Sequence, residues 1–509
     1  MTAFRGLSDF LRALERAGDL KRIGEPVSTR LEMAEVAHQV FLRGGPALLF
    51  ERPVTGAGGS SGPPATPGAA APSGIRAGTG TGTIPVAMNL FGSERRMALA
   101  LGVERLDDIA VRIRELVQLQ PPSGFREKLA MLPKLRDLAR FPPQHVRAGA
   151  CQEVVLQGDD VDLGALPIVT TWPGDAAPFI TLPQVVTRDP ETGVRNVGCY
   201  RMQVVDGATT LMHWQRHKDG RHHYDLVRAA GGTIPVAVAL GGDPAAIYAA
   251  TAPLPPAVDE YLFTGFLRRE PLPLVRCVTC DLEVPAESDI VLEGFVDPNE
   301  PLYPEGPFGD HTGFYTAESE YPAFHVTAIT LRRNALYPAT IVGRPPMEDF
   351  WMGHATERIF LPLLQLTLPE VVDYHMPAEG IFHNLVFVSI RKRYPGQAYK
   401  VMNGMWGIGL LSLAKLIIVV DEDVDVRNVR EAWWAALNNI DPQRDVHFTM
   451  GPIDVLDHAS REFSYGSKMG IDATRKWPDE GFRRPWPEKI AMDPAVKARM
   501  AERMKGWGL

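Results

Sequence analysis

Hydrophobic residues recur at helical spacing near the start of the chain, at positions 7, 10, 11 and 14, and Gly18 ends the run. A second helix is predicted to begin at Thr29, because Glu32 stands three residues later and completes a capping box. The continuous apolar run at residues 47–50 indicates a short buried strand. This alternation of helices and strands predicts an N-terminal α/β region.

Residues 54–83 interrupt this pattern, because they are almost wholly Gly, Ala, Pro, Ser and Thr. Such a segment has few apolar side chains to bury, so we expect a flexible insertion without a catalytic role. A strand is predicted at residues 85–90 and helices within residues 93–119. Pro121 and Pro122 then mark a boundary.

The pattern changes between residues 153 and 331, where short runs of β-forming residues alternate with turns, as in an antiparallel sheet or barrel. Longer helices, mixed with strands, are predicted from Thr356, and the stretch from Pro478 is interpreted as a tail that packs on another surface. Domains are therefore predicted at residues 1–120, 121–331 and 332–509. The predicted strands are residues 153–157, 179–187, 198–205, 233–240, 274–282, 289–295, 324–331, 384–390 and 416–421.

The composition excludes several classes of protein. The chain has 509 residues, 45% hydrophobic and 22% charged, which is typical of a globular protein with several domains. A net charge of -8 argues against a nucleic-acid surface, and no apolar run is long enough for a membrane span. The N-terminus lacks a secretory apolar region and four cysteines form no disulfide framework, so we expect a cytoplasmic protein. Cys277 and Cys280 form a lone Cys-x-x-Cys without a second ligand pair, and we interpret them as small buried hydrophobes.

Candidate chemistry is concentrated in the segment from Pro304 to Gly313. Glu305 and Asp310 stand here among Gly and Pro residues, which favour turns over regular helix. Two carboxylates held close together cannot both ionise freely, so the one that keeps its proton is a candidate general acid. A charged surface turn explains this segment equally well when it is taken alone.

A second cluster precedes this segment. Along a strand, Asn196, Gly198 and Tyr200 would face one side, while Arg201 and Gln203 would face the other. An arginine that faces a cavity can grip a carboxylate through two hydrogen bonds, whereas a surface arginine forms only a rim salt bridge. Asn196, one nearby histidine and a carboxylate would suit Mn²⁺ or Mg²⁺, although a polar hairpin also explains the histidines. These are His213, His217, His222 and His223.

Two later clusters are less specific. Trp351, Met352 and His354 are predicted to line the approach to a helix capped at Thr356, which ordinary helix-start chemistry also explains. The basic turn at residues 391–400, which ends at Lys400, is either an anion or phosphate site or a solvated basic face.

Together these clusters resemble the UbiD family of decarboxylases, which use prenylated FMN. The resemblance runs from residue 4 to residue 486 and includes the motifs at residues 89–93, 241–244 and 466–472. It implies a multidomain α+β fold with an N-terminal α/β domain, a central split β-barrel of the flavin-reductase type, and a C-terminal α/β oligomerisation domain. It also implies a carboxy-lyase that reversibly decarboxylates an aromatic, heteroaromatic or α,β-unsaturated acid.

The resemblance assigns catalytic roles to three residues. Arg201 would orient the substrate carboxylate, Glu305 would act as its electrostatic partner and base, and Asp310 would deliver a proton after CO₂ leaves. Asp310 is the shorter of the two acids found at this position in the family.

The resemblance also implies a cofactor site. Asn196, His217 and Glu260 would bind a divalent metal, Mn²⁺ or Mg²⁺, which bridges to the phosphate of prenylated FMN, and K⁺ would accompany it. His222 and His223 remain alternatives to His217. The other predicted cofactor-binding residues are Val197, Gly198, Arg201, Gln203 and Lys400.

The expected substrate pocket contains aromatic and histidine side chains, which suit a flat aromatic acid. The expected partners are a flavin prenyltransferase of the UbiX type, which supplies the cofactor, and further copies of the chain in a homodimer or larger homo-oligomer. The predicted pocket residues are Trp351, Met352, His354, Phe382 and His383.

Two other functions compete with this interpretation. One is a split-barrel flavoprotein oxidoreductase that uses unmodified FMN, and the other is a non-catalytic assembly factor with the same fold. Hydride transfer needs no relay of an arginine and two carboxylates, which argues against the first. Retention of every residue of the trio argues against the second.

Overall fold

The computed structural model describes residues 3–55, 83–117, 138–216, 218–255, 258–382 and 384–508. Most of the predicted insertion, the predicted boundary at Pro121 and Pro122, the candidate metal ligand His217 and the candidate pocket residue His383 lie outside the described residues.

The N-terminal region is a small mixed sheet covered by helices. Its first two strands pair in parallel, and the third returns antiparallel to the second. The fourth strand, Tyr337–Pro338, comes from beyond the central region and pairs with the third, so the chain crosses back into this sheet. The helices are Leu7–Arg16, Glu32–Leu42, Glu94–Ala100 and Asp107–Val117, and the other strands are Leu20–Ser28, Ala47–Val54 and Val86–Met88.

The central region is built on a nine-stranded sheet whose neighbouring strands all pair antiparallel. In spatial order its strands are Phe179–Ile180, Met202–Val204, Thr209–Met212, Ala323–Leu331, Ile290–Val296, Ile234–Leu240, Gln184–Arg188 and Arg195–Gly198, with Val154–Gln157 added beside Ala323–Leu331. A three-stranded sheet of Gln144–Val146, Pro273–Arg276 and Glu283–Pro285 accompanies it, and the helices are Asp219–Ala230, Pro244–Ala249 and Glu260–Arg268.

The order of these strands explains why the sheet curls. Arg195–Gly198 lies at one end of the sheet and Met202–Val204 is next to the other end, yet only residues 199–201 connect them. A connection this short spans at most about 14 Å. The two ends must therefore approach each other, which gives a curled half-barrel and brings Arg201 to its seam.

The C-terminal region has a five-stranded mixed sheet. In spatial order its strands are Val371–His375, Leu385–Ile390, Leu416–Asp421, Tyr465–Asp472 and Val446–Pro452. Its helices are Glu348–Thr367, Gln397–Met405, Val429–Asn439, Pro442–Asp445 and Pro494–Gly506. No helix within the described ranges is long and apolar enough to cross a membrane.

The three-part architecture agrees with the predicted fold class. One apolar core joins the N-terminal sheet to the curled sheet, since Met33 and Phe50 pack in the same cluster as Ile180 and Leu292. The strands predicted at residues 233–240, 289–295 and 324–331 are confirmed to within one residue at each end.

Several predicted elements have the wrong bounds. The helix predicted to begin at Thr29 begins at Glu32, and Leu31 precedes it without a side-chain cap. The predicted strand 179–187 is two strands, Phe179–Ile180 and Gln184–Arg188, which are not neighbours in the sheet. The predicted strand 198–205 is broken at residues 199–201, where the chain crosses the seam, and the strand 274–282 ends at Arg276 because Cys277 begins a turn closed by its amide on the Leu282 carbonyl oxygen, 2.8 Å away. The helix predicted to begin at Thr356 begins at Glu348, with Glu348 and Asp349 in its first turn, where the helix dipole favours acidic side chains.

Candidate active site

The segment from Pro304 to Gly313 forms two nested hairpins. Tyr303–Glu305 pairs with Ser319–Tyr321, and inside it Phe308–Gly309 pairs with Tyr315–Thr316. The Asp310 amide closes the inner turn by donating to the Phe314 carbonyl oxygen at 3.1 Å. This double hairpin holds both candidate carboxylates on a rigid frame, as their Gly- and Pro-rich setting predicted.

The structure brings the predicted catalytic trio together. Arg201 donates from Nε to Glu305 Oε1 at 2.7 Å and from Nη2 to Glu305 Oε2 at 3.0 Å, while its Nη1 contacts Asp310 Oδ2. Glu305 is 0% exposed and Asp310 is 2% exposed. Arg201 therefore lies between two buried carboxylates, one of which it grips bidentately.

Neighbouring side chains fix the Arg201 guanidinium in this position. It lies 4.6 Å from the centre of the Phe308 ring, and its Nη2 also donates to Thr316 Oγ1 at 3.3 Å. Gln203 Oε1 accepts the Gly306 amide at 2.7 Å and ties the hairpin to the sheet, and its predicted role in cofactor binding stays a prediction. His213 Nδ1 lies 3.3 Å from Glu305 Oε2.

The pKa values of the two carboxyl groups differ from the sequence-based expectation that one of them keeps a proton. Burial alone would raise the pKa of Glu305, but hydrogen bonds from His213 and Arg201 outweigh it and lower the pKa to about 2. Burial would likewise raise the pKa of Asp310, and the Arg201 charge lowers it instead. Both carboxylates are thus ionised while Arg201 binds them.

Sequence reasoning missed a histidine beside this trio. His311 Nε2 lies 3.7 Å from Asp310 Oδ1, and its Nδ1 bonds Asp349 at the start of the helix Glu348–Thr367. Burial lowers the pKa of His311, but the charge and hydrogen bond of Asp349 outweigh it and raise the pKa to about 9. His311 stands next to Asp310 in the sequence, but nothing in the spacing pointed to Asp349.

Asn196 and Glu260, two of the three predicted metal ligands, are joined through the end strand of the curled sheet. Glu260 Oε2 accepts the amide of Val197 at 2.8 Å, and Asn196 Nδ2 donates to the Tyr200 hydroxyl at 3.4 Å. Burial raises the pKa of Glu260 to about 8. No lysine, arginine or histidine of the described residues forms an ion pair with the Glu260 carboxylate. A divalent cation would supply this missing positive charge, and the side-chain oxygens of Glu260 and Asn196 are ligands that suit it.

Gly198 has a steric role at the same end strand. A Cβ atom at this position would lie 2.2 Å from the Tyr200 ring, whose hydroxyl also receives the Gly220 amide at 3.5 Å. Only glycine therefore lets the Tyr200 ring approach the strand and reach Asn196.

Lys400 lies apart from these groups in the C-terminal region. Its side chain is 46% exposed and its Nζ lies 2.7 Å from Glu370 Oε1. The contacts of Lys400 therefore give its predicted phosphate-binding role no support, and that role stays a prediction.

The predicted pocket residues divide into two groups. Phe382 packs its ring against Gly353 and lies 5.6 Å from the His311 ring, which places it beside the trio. Met352 is buried in the core shared with the N-terminal helices. His354 Nδ1 lies 2.7 Å from the buried carboxylate of Glu357, and the His354 ring contacts Trp351 at 5.9 Å.

Matches to known proteins cover most of the chain. Three domains of 3-octaprenyl-4-hydroxybenzoate carboxy-lyase match it: the N-terminal domain at residues 11–113, the Rift-related domain at residues 144–345 and the C-terminal domain at residues 350–473. An uncharacterized protein of Aquifex aeolicus is 51% identical over 501 residues, which is 98% of each chain.

Solved structures agree with this result. Vanillic acid decarboxylase of Sedimentibacter hydroxybenzoicus, in its closed form, superposes with a TM-score of 0.81 at 27% identity, covering 100% of this chain and 99% of that one. An evolved dimeric form of the UbiD-class enzyme HmfF from Pelotomaculum thermopropionicum, in complex with prFMN, superposes with a TM-score of 0.76 at 26% identity, covering 98% and 100%. The chain therefore belongs to the UbiD family of carboxy-lyases.

Proposed function

We propose that this chain catalyses the reversible, non-oxidative decarboxylation of an aromatic, heteroaromatic or α,β-unsaturated carboxylic acid with prenylated FMN. The observation that carries the proposal is the buried arginine held between two carboxylates at the seam of the curled sheet. Family membership and the prFMN complex of HmfF support the choice of cofactor.

Asn196 and Glu260 would hold the divalent metal of this cofactor, together with His217. Mn²⁺ or Mg²⁺ suits their oxygen and imidazole ligands, and K⁺ is expected beside it. The prenylated flavin would supply an electron sink, which no protein side chain provides for decarboxylation at an sp² carbon.

The two carboxylates and Arg201 would then act in sequence. A substrate carboxylate that binds Arg201 competes with Asp310 for the guanidinium, and removal of that contact raises the pKa of Asp310. Asp310 can then take up a proton and deliver it to the carbon that loses CO₂. Glu305 keeps two hydrogen bonds to Arg201, so it stays ionised and fixes the orientation of the guanidinium.

His311 and Phe382 would form one wall of the substrate site. The ring of Phe382 stands beside His311, and His311 stands beside Asp310. A flat acid stacked here would place its carboxylate toward Arg201. This arrangement favours aromatic or heteroaromatic substrates over aliphatic ones.

The test is to identify the bound cofactor. The chain is co-expressed with a UbiX-type flavin prenyltransferase, and the released flavin and the metals are measured by mass spectrometry. We expect prenylated FMN with Mn²⁺ and K⁺ in the wild type and in Glu270→Ala, an exposed control, and loss of both flavin and Mn²⁺ in Glu260→Ala.

Two outcomes would contradict the proposal. Unmodified FMN, together with oxidation of a nicotinamide, would favour the flavoprotein oxidoreductase. A fully loaded Glu260→Ala variant would remove Glu260 from the metal site.

A further inference from the structure

A second group of potential metal ligands lies in the central region, outside the proposed active site. The turn after the strand Pro273–Arg276 carries Cys277 and Cys280, and the sheet strand Ile290–Val296 carries Glu293. The two sulfur atoms and a Glu293 carboxylate oxygen all lie within 4.8 Å of one another. The two thiols stand close together in the sequence, and the fold brings the carboxylate beside them.

Glu293 is buried without a counter-charge. It is 1% exposed, and no lysine, arginine or histidine in the described part of the chain lies within ion-pair distance of its carboxylate. The strand that carries Glu293 also places Val291 in a core of apolar side chains that includes Cys151 and Cys277. Taking an ionised carboxylate out of water costs several kcal/mol, which hydrogen bonds and a bound cation together would offset.

The turn itself orients the Glu293 carboxylate toward the thiols. Oε1 accepts the Val278 amide at 2.9 Å, and Oε2 accepts the Thr279 amide at 2.6 Å and the Thr279 hydroxyl at 2.9 Å. Hydrogen bonds of this kind fix the ligands of metal sites, because they hold the carboxylate in one rotamer. The same turn thus supplies two ligands and positions a third.

We propose that Cys277, Cys280 and Glu293 form a zinc site that fastens this turn to the curled sheet. Two thiolates and one carboxylate are ligands that Zn²⁺ accepts, and the half-buried Cys280 leaves a solvent-facing side for water as the fourth ligand. Binding of Zn²⁺ displaces one proton from each thiol, so affinity rises with pH.

This site is distinct from the metal site of Asn196 and Glu260 in ligand chemistry. Thiolates favour Zn²⁺, whereas the oxygen and imidazole ligands proposed for the cofactor metal favour Mn²⁺ or Mg²⁺. The two sites can therefore be assayed independently.

The experiment measures zinc in protein purified without chelator, followed by titration of the metal-free protein with Co²⁺. We expect about one zinc per chain and a thiolate-to-cobalt charge-transfer band. Both are lost in Cys277→Ser and Cys280→Ser, and Glu293→Gln weakens Zn²⁺ binding by about 10–100-fold. Cys151→Ala, which removes a thiol of the same core, keeps both, as does Glu260→Ala.

A measurement on the wild type covers the case in which these variants do not fold. Zn²⁺ should protect Cys280 from alkylation, and Mg²⁺ should not. The proposal would be overturned if the purified protein held no zinc and added Zn²⁺ did not protect Cys280 from alkylation. It would also be overturned if Cys277 and Cys280 formed a disulfide in protein purified under reducing conditions. Zinc that remains in both cysteine variants would place the metal elsewhere.

Discussion

Arg201 is the side chain on which the electrostatics of the proposed site depend. Its guanidinium binds Glu305 and Asp310 at once, and it lowers the pKa of both. The resemblance to UbiD enzymes identified this trio, although the sequence alone places Arg201 and Glu305 more than a hundred positions apart. The expectation of one protonated carboxyl failed because it considered the two acids without the cation between them.

The pair of His311 and Asp349 gives a pH-dependent prediction. Asp349 raises the folded-state pKa of His311 from 6.5 to about 9, so the stabilisation is fully present below pH 6.5 and is lost as the pH rises through about 9. Asp349→Asn should lower the unfolding free energy by about 1–2 kcal/mol near pH 6 and by much less near pH 10. Thermal unfolding at both pH values checks this, and an equal loss at both would contradict it.

The proposed active site lies where the chain crosses directly between strands near opposite ends of the curled sheet. Residues 199–201 interrupt the predicted strand 198–205 and carry Arg201 across the seam, while Asn196 stays on the end strand. Local pattern could predict strands here but not the break, because the break follows from the order of strands in the finished sheet. The helix start at Glu348 was missed for a related reason: its first-turn acids bind distant groups rather than forming a local cap.

Gly198→Ala tests the packing at this crossing. The added Cβ would overlap the Tyr200 ring, which should cost about 1–3 kcal/mol and push the hydroxyl away from Asn196. We expect metal affinity and flavin content to fall by about tenfold or more. Gly506→Ala, where nothing lies within 4 Å, is the control. Unchanged flavin content in Gly198→Ala would contradict the role of Tyr200.

The predicted insertion at residues 54–83 can be shortened to test whether it has a catalytic role. The strands Ala47–Val54 and Val86–Met88 pair antiparallel, so a hairpin loop can join them. Replacement of residues 56–82 by a loop of about five residues should raise the unfolding free energy by about 1 kcal/mol, because loop closure becomes less costly. Flavin content and CO₂ release should stay at the wild-type level, and a loss of either would show that the insertion contributes to function.

The three regions are connected more closely than their separation along the chain suggests. The strand Tyr337–Pro338 completes the N-terminal sheet, and Arg427 of the C-terminal region pairs with Asp107 of an N-terminal helix at 3.2 Å. Glu348 accepts the Phe91 amide at 2.6 Å and the Thr340 hydroxyl at 2.7 Å. The predicted domain boundary between residues 331 and 332 marks a change in the sequence pattern. In the folded chain, contacts connect residues on both sides of this boundary.

Glu348→Ala should weaken this connection. The change leaves the buried Phe91 amide without its acceptor, which should cost about 1–3 kcal/mol of unfolding free energy. Glu379→Ala, at an exposed position, is the control and should leave the apparent Tm unchanged. An equal Tm for Glu348→Ala and the wild type would show that the contact contributes little.

The most direct test of the proposed relay compares CO₂ release by wild-type and Asp310→Asn protein, both loaded with prenylated FMN to the same measured content. Glu320→Gln, an exposed carboxylate on the same hairpin, serves as the control. We expect Asp310→Asn to lower kcat by at least about 100-fold and Glu320→Gln to leave it unchanged. Full turnover by loaded Asp310→Asn protein would contradict the assignment of Asp310 as the proton donor.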